Sequence, residues 1–92
     1  MTDEKPTHPG KMLMDQFLTP QKVSQKELAE HLGWTTTRLS EIIHAKRGIT
    51  ADSALSLADT FGCEPEFWLN LQNTWDLWHA RQSYTAKNRF FK

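Results

Sequence analysis

Apolar residues recur at intervals of three and four along most of this chain, and that spacing predicts amphipathic α-helices. Glycine, proline, serine and threonine residues separate the apolar stretches and favour helix ends. Thr19-Pro20-Gln21-Lys22, for example, is expected to end the first helix. We therefore predict an all-α fold of five helices, which begin near these residues: Pro9, Gln25, Thr36, Ala51 and Pro65.

The most specific segment runs from Gln25 to His44 and has the pattern of two short helices joined by a tight turn. Ser24 followed by Glu27 forms a capping box, which satisfies free backbone N–H groups at a helix start. Gly33 falls where the first helix needs a left-handed residue to end. Ala29 is small where the two helices must approach closely. The segment predicts a helix-turn-helix.

If the apolar side of the second helix faces the core, its start and outer face are polar. Hydroxyl and guanidinium groups there suit the bases and phosphates of a major groove, and cations in the following loop suit phosphates. The start of the first helix can reach the DNA backbone. The predicted DNA contacts are Gln25, Thr35, Thr36, Thr37, Arg38, Ser40, His44, Lys46 and Arg47. On this interpretation Arg38→Ala lowers DNA affinity and leaves thermal stability nearly unchanged. A compact helical hairpin with a solvated polar face is the plainer alternative.

The last predicted helix carries a stripe of large apolar side chains at helical spacing. Such a stripe can be core, or half of a two-fold interface, where aromatic residues are enriched. We favour both uses together, because a helix-turn-helix generally reads two half-sites one DNA turn apart as a dimer. The predicted dimer interface is Phe67, Trp68, Leu71, Trp75 and Trp78.

Length and charge refine this interpretation. The 92 residues are enough for one small domain, with 11 basic and 11 acidic residues in balance. We expect a domain over residues 9–82, with a flexible tail at 1–8 and a flexible basic tail at 83–92. Residues 51–80 contain five acidic side chains and no lysine or arginine, whereas residues 81–92 contain four basic side chains and no acid.

Composition also argues against several classes of protein. A single cysteine, Cys63, excludes an internal disulfide and a multi-thiolate metal site. There is no apolar run long enough to span a membrane and no signal-peptide core, so we expect a cytoplasmic protein without cofactor or metal. An enzyme is the least supported class, because the four histidines are scattered and no nucleophile, base and acid form a set.

Three stretches carry a resemblance to a known family: HPGKML from His8, LGWTTTRLSEIIHAKRGIT from Leu32, and EPEFWLNLQNTWDLW from Glu64. Together they resemble the HigA-type antitoxins, helix-turn-helix proteins of the lambda-repressor-like class, over residues 8–82. The KRGIT and PEFWLNLQ motifs are the most specific. The sequence departs from the family pattern at Lys11, where glutamate is usual, and at Glu64, where the usual hydroxyl cap of the last helix is therefore not expected.

The resemblance implies a bacterial, nucleoid-associated homodimer that binds an operator with an inverted repeat and represses its own toxin–antitoxin operon. It also implies direct binding of a small basic ribonuclease toxin of the HigB type, and dimerisation through the last helix. We add the hypothesis that an acidic surface steers that toxin; its residues are Asp52, Asp59, Glu66 and Asp76. The alternatives are a stand-alone transcriptional regulator, and a protein-interaction module that has lost DNA binding.

Overall fold

The computed structural model describes residues 4–91, and within that range the chain forms five helices and no strand. The predicted all-α, five-helix fold is confirmed. Helix α1 is continuous through three segments, Pro9–Met12, Leu13–Leu18 and Thr19–Gln21. The others are listed here in chain order: α2, Gln25–Leu32; α3, Thr36–Ile43; α4, Ala51–Phe61; α5, Pro65–Ser83.

Helix α1 ends later than the sequence predicts. It continues through Pro20 and stops only at Lys22, which has a left-handed backbone with φ of 56°. A proline inside a helix lacks its N–H, and its ring clashes with the carbonyl four residues earlier. Here a π-helical segment precedes Pro20, and the N–H of Thr19 bonds to the carbonyl of Met14, five residues back. The wider turn gives the ring room, so the helix is not broken.

The predicted caps at the starts of α2, α3 and α4 and the predicted glycine ends of α2 and α4 are confirmed. Ser24, Thr35 and Thr50 each accept a hydrogen bond from the backbone N–H three residues later, at 3.0, 3.1 and 3.2 Å. Gly33 and Gly62 end α2 and α4 with φ of 73° and 71°. Glycine has no Cβ and adopts this left-handed backbone at little cost, so both residues suit a helix end.

One apolar core joins all five helices. Its buried members are Leu13, Leu18, Leu28, Ala29, Leu39, Ile42, Ile49, Ala54, Leu57 and Trp68. Helices α1 and α3 meet at backbone distance, because a Cβ on Gly10 would lie 1.8 Å from the carbonyl oxygen of Ile42. Gly10 therefore sets how closely α3 approaches the rest of the domain.

The residues before α1 lie against α5. His8 is only 4% exposed, and its Nδ1 accepts a hydrogen bond of 2.9 Å from the N–H of Gly10. Its ring meets that of Trp75 edge-on, 4.9 Å between centroids, and the amino group of Lys5 lies 5.0 Å from the same indole. The predicted boundary at residue 9 thus leaves a buried capping residue outside the domain.

Flexibility of the two tails stays a prediction. Residues 1–3 and 92 lie outside the described residues. At the other end α5 continues to Ser83, one residue beyond the predicted domain, and Tyr84 to Phe91 are exposed and non-helical.

Candidate nucleic-acid interface

A polar concavity of about 400 Å³ opens between the start of α2 and the outer face of α3. Helix spacing explains its composition, since positions three and four apart share one face. The side chains that line it are Gln25, Thr36, Thr37, Ser40, Glu41, His44 and Lys46. Six of the nine predicted DNA contacts are therefore brought together by two helices and a loop, and Glu41 is the one acid among them.

A hydrogen bond to the backbone orients the imidazole of His44, which lines the concavity just after α3. The Nδ1 of His44 lies 2.8 Å from the carbonyl oxygen of Ser40, so Nδ1 donates. In a neutral imidazole that arrangement leaves Nε2 as an acceptor. The threonines nearer the helix start are exposed, so their hydroxyl and methyl groups are available for contacts. The surface offers donors, acceptors and methyl groups together, which is what recognition of base edges requires.

The loop after α3 carries the two cations predicted to contact phosphate. Arg47 donates from Nη2 to a carboxylate oxygen of Glu41 at 3.0 Å, and both side chains are substantially exposed. This pair contributes little to stability, but it offsets the only negative charge in the concavity. Within residues 4–91 Lys46 forms no salt bridge. Lys46 is thus the freer of the two cations.

Three of the predicted contacts, Thr35, Arg38 and Arg47, do not line the concavity. The Thr35 hydroxyl caps α3. The guanidinium of Arg38 lies 4.1 Å from the centroid of the Trp34 ring, and its Nη2 donates to Oγ of Ser53 at 2.9 Å. Because these contacts tie α3 to α4, we now expect Arg38→Ala to lower stability, in place of the nearly unchanged stability that the sequence predicts. The four-residue spacing of Trp34 and Arg38 was the sequence signal for this contact.

The residues predicted for the dimer interface divide into two groups. Trp68 is fully buried, and its Nε1 donates to Sγ of Cys63 at 3.2 Å. Its assignment to the interface is wrong, because it faces α1 and the core. The remaining four stay partly exposed: Phe67, Leu71, Trp75 and Trp78. Leu77, outside the predicted interface, is 51% exposed on the same helix.

The four side chains of the predicted acidic surface are each exposed, and their action as one surface stays a prediction. Asp52, Asp59 and Glu66 are exposed. Asp76 is exposed as well, but it accepts a 2.8 Å hydrogen bond from Gln72. The last helix also starts as the sequence indicated, since Glu64 provides no side-chain cap and Pro65 occupies the first turn.

A search of residues 4–91 finds no group of three or more histidine, cysteine, aspartate or glutamate side chains placed to hold a metal ion. In the same range, no helix combines the length and apolarity needed to cross a membrane.

Burial lowers the pKa of His8 below its ordinary value of 6.5. The nearby carboxylate of Asp76 acts in the opposite direction, and His79 adds to the lowering. The neutral imidazole is also the form that accepts the hydrogen bond from Gly10. His8 therefore stabilises the start of α1 as a neutral side chain.

Both the sequence and the fold resemble those of known proteins. The helix-turn-helix family profile matches residues 15–68. The chain is 41% identical over 81 residues to virulence-associated protein I of Dichelobacter nodosus, covering 88% of this chain and 75% of that protein. It is 38% identical over 91 residues to antitoxin HigA-1 of Vibrio cholerae serotype O1, covering 99% and 86%. Among solved structures, Pseudomonas aeruginosa antitoxin HigA with the higBA promoter superposes with a TM-score of 0.82 at 36% identity, covering 85% of each chain. The chain belongs to the HigA-type antitoxin family of helix-turn-helix proteins.

Proposed function

We propose that this protein is an antitoxin and a sequence-specific DNA-binding repressor of its own toxin–antitoxin operon. The observation that carries the proposal is the polar concavity, in which Gln25 of α2, the outer face of α3 and Lys46 converge. Helix-turn-helix proteins place the start of their second helix in a major groove while the first helix crosses the backbone. The related Pseudomonas aeruginosa antitoxin HigA was solved with the higBA promoter, which supports DNA binding by this fold.

The proposed mechanism is occupancy of an operator. Each protomer places α3 in one major groove, and a homodimer spans two half-sites of an inverted repeat about 34 Å apart, one DNA turn. The bound dimer then blocks RNA polymerase. We assign dimerisation to the exposed part of α5, where large apolar side chains remain accessible in the monomer. The assigned residues are Phe67, Leu71, Trp75 and Trp78.

The second half of the proposal is direct binding and neutralisation of a small basic ribonuclease toxin of the HigB type. The acidic side chains of α4 and α5 give the surface whose charge complements such a toxin. In this role the protein acts by binding and carries out no catalysis of its own. We place it in the bacterial cytoplasm, at the nucleoid.

A binding titration tests the DNA half of the proposal. The probes are a duplex from upstream of its own gene and a scrambled duplex of equal length, each at two salt concentrations. We expect tight, salt-sensitive binding of a dimer to the first probe, because neutralised phosphates release counterions. Lys46→Ala should reduce the slope of log affinity against log salt by about 0.9. Lys87→Ala, an exposed lysine outside the concavity, is the control.

Two outcomes would redirect the interpretation. If neither duplex binds at low salt, the protein is a protein-interaction module that has kept the fold without DNA binding. If the upstream duplex binds tightly but no basic ribonuclease is encoded beside the gene, the protein is a stand-alone transcriptional regulator.

A further inference from the structure

The two motifs that are most specific in the sequence contact each other in the fold. KRGIT occupies residues 46–50, in the loop after α3, and PEFWLNLQ occupies residues 65–72 at the start of α5. Gln72, the last residue of the second motif, is 8% exposed and reaches the first motif across 23 residues of sequence. A buried amide side chain needs partners for its polar atoms.

Gln72 has a defined partner at each end of its amide. Its Oε1 accepts a hydrogen bond of 2.7 Å from the N–H of Ile49, and its Nε2 donates to Oδ1 of Asp76 at 2.8 Å. Because a carboxylate only accepts, Asp76 fixes which way the amide is turned. The backbone of Gly48 packs directly against the same amide, since a Cβ on Gly48 would lie 3.1 Å from three side-chain atoms of Gln72.

The loop that carries the two cations is therefore held at both ends. At its start, the N–H groups of Lys46 and Arg47 both donate to the carbonyl of Glu41, at 2.8 and 3.2 Å. At its end, Ile49 is buried and bonded to Gln72. The side chains of Lys46 and Arg47 are exposed. One of the two attachments of this loop is thus a side chain of α5.

We propose that Gln72 is a positioning residue for DNA binding: it holds the loop between α3 and α4 so that Lys46 and Arg47 face the phosphate backbone. The inference rests on the proposed function. It assigns to the last helix a part in the DNA interface that is separate from dimerisation. Gln72 touches no DNA itself and acts only through Ile49 and Gly48.

The test uses Gln72→Met, which keeps the length of the side chain and removes both hydrogen-bonding groups. Amide hydrogen exchange at Ile49 should become faster in the free protein, because its N–H loses its acceptor. Affinity should fall about tenfold for both the upstream and the scrambled duplex, with a salt slope lower by about one, since phosphate contacts carry no sequence information. Gln82→Met, the same change at an exposed position of α5, should alter none of these quantities.

A double-mutant cycle separates positioning from a general loss of structure. If Gln72 acts through Lys46, then Lys46→Ala should cost much less affinity in the Gln72→Met background than in the wild type. Equal costs in the two backgrounds would overturn the proposal, as would unchanged Ile49 exchange or unchanged affinity in a folded, dimeric Gln72→Met protein.

A swapped pair keeps the proposal falsifiable if Gln72→Met does not fold. Gln72→Glu alone places two carboxylates together, whereas Gln72→Glu with Asp76→Asn restores an acceptor for Ile49 and a donor between the two side chains. The double variant should recover near wild-type DNA affinity, and failure to do so in a folded protein would contradict the proposal. If wild-type protein binds neither duplex at low salt, the proposed function fails, whatever Ile49 exchange shows about the loop.

Discussion

The contacts of Arg38 give a sharp test of how the recognition helix is held. Replacing Arg38 with alanine removes the stacking on Trp34, at 4.1 Å, and the hydrogen bond to Ser53, at 2.9 Å. Both contacts bridge α3 to its neighbours. The Ser53 hydroxyl keeps a partner in the variant, because Thr50 also donates to it at 3.1 Å. No buried polar atom of Ser53 is left unsatisfied, so the loss is limited to the two contacts themselves.

The loss of stability in Arg38→Ala is the sum of the contributions of these two contacts. A cation–π contact at a partly exposed site contributes about 0.5–1 kcal/mol. The partly buried hydrogen bond from a charged donor contributes about 1 kcal/mol. We expect the free energy of unfolding to fall by about 1.5–2 kcal/mol in Arg38→Ala. For a domain of this size that corresponds to a decrease in Tm of roughly 6–15 °C.

Thermal unfolding followed by far-UV circular dichroism measures the effect, at fixed protein concentration because a dimer's Tm depends on it. Arg47→Ala is the matched control: it removes the same side chain, but from an exposed ion pair with Glu41. That pair contributes at most about 0.5 kcal/mol, so the control should keep nearly the wild-type Tm. A Tm of Arg38→Ala within about 2 °C of the control would refute the structural role of Arg38.

Further predictions concern close packing, pH and toxin binding. Gly10→Ala should destabilise the fold by at least about 3 kcal/mol in urea unfolding, because its methyl would meet the backbone of α3. Gly33→Ala, with open space around it but φ of 73°, should cost only about 1 kcal/mol, and equal losses would contradict the packing argument. Because the pKa of folded His8 is lowered, the unfolded state binds the proton more readily, so stability should fall as pH drops below about 6.5. His8→Gln should remove that part of the pH dependence of the unfolding free energy, and an unchanged dependence would show that His8 is not its source. Three exposed acids can be neutralised together, by Asp52→Asn, Asp59→Asn and Glu66→Gln. This triple variant should bind the toxin more slowly at low salt in stopped-flow measurements, and an unchanged association rate would reject the acidic surface. Asp76 is left unchanged there, because it also orients Gln72.

Local signals predicted the helices and most of the candidate site. Ser24, Thr35 and Thr50 cap helices because a hydroxyl and the N–H three residues later are close in any helix start. The concavity also follows from sequence, since helical spacing alone places Thr36, Thr37, Ser40 and His44 on one face.

The errors have the opposite origin, in contacts between distant segments. Whether Trp68 lies in the core or on the surface depends on what α1 places against it, and the apolar spacing of α5 is the same in either case. The error at Pro20 is the exception, because its cause is local: a proline normally ends a helix, but the wider turn formed by the preceding residues accommodates it.

The amino-acid sequence by itself determined the five helices, their caps, the helix-turn-helix and the polar face of α3, because these depend on residues within one or two helical turns of each other. Only the tertiary structure decided that Arg38 contacts Ser53, that His8 is buried, and that Gln72 contacts the loop that carries Lys46 and Arg47. Each of these side chains contacts a partner that is distant in the sequence: Arg38 contacts Ser53, His8 contacts Trp75, and Gln72 contacts Ile49. The physical reason is that a polar or charged side chain takes its role from the partner that satisfies it, and packing alone brings that partner near.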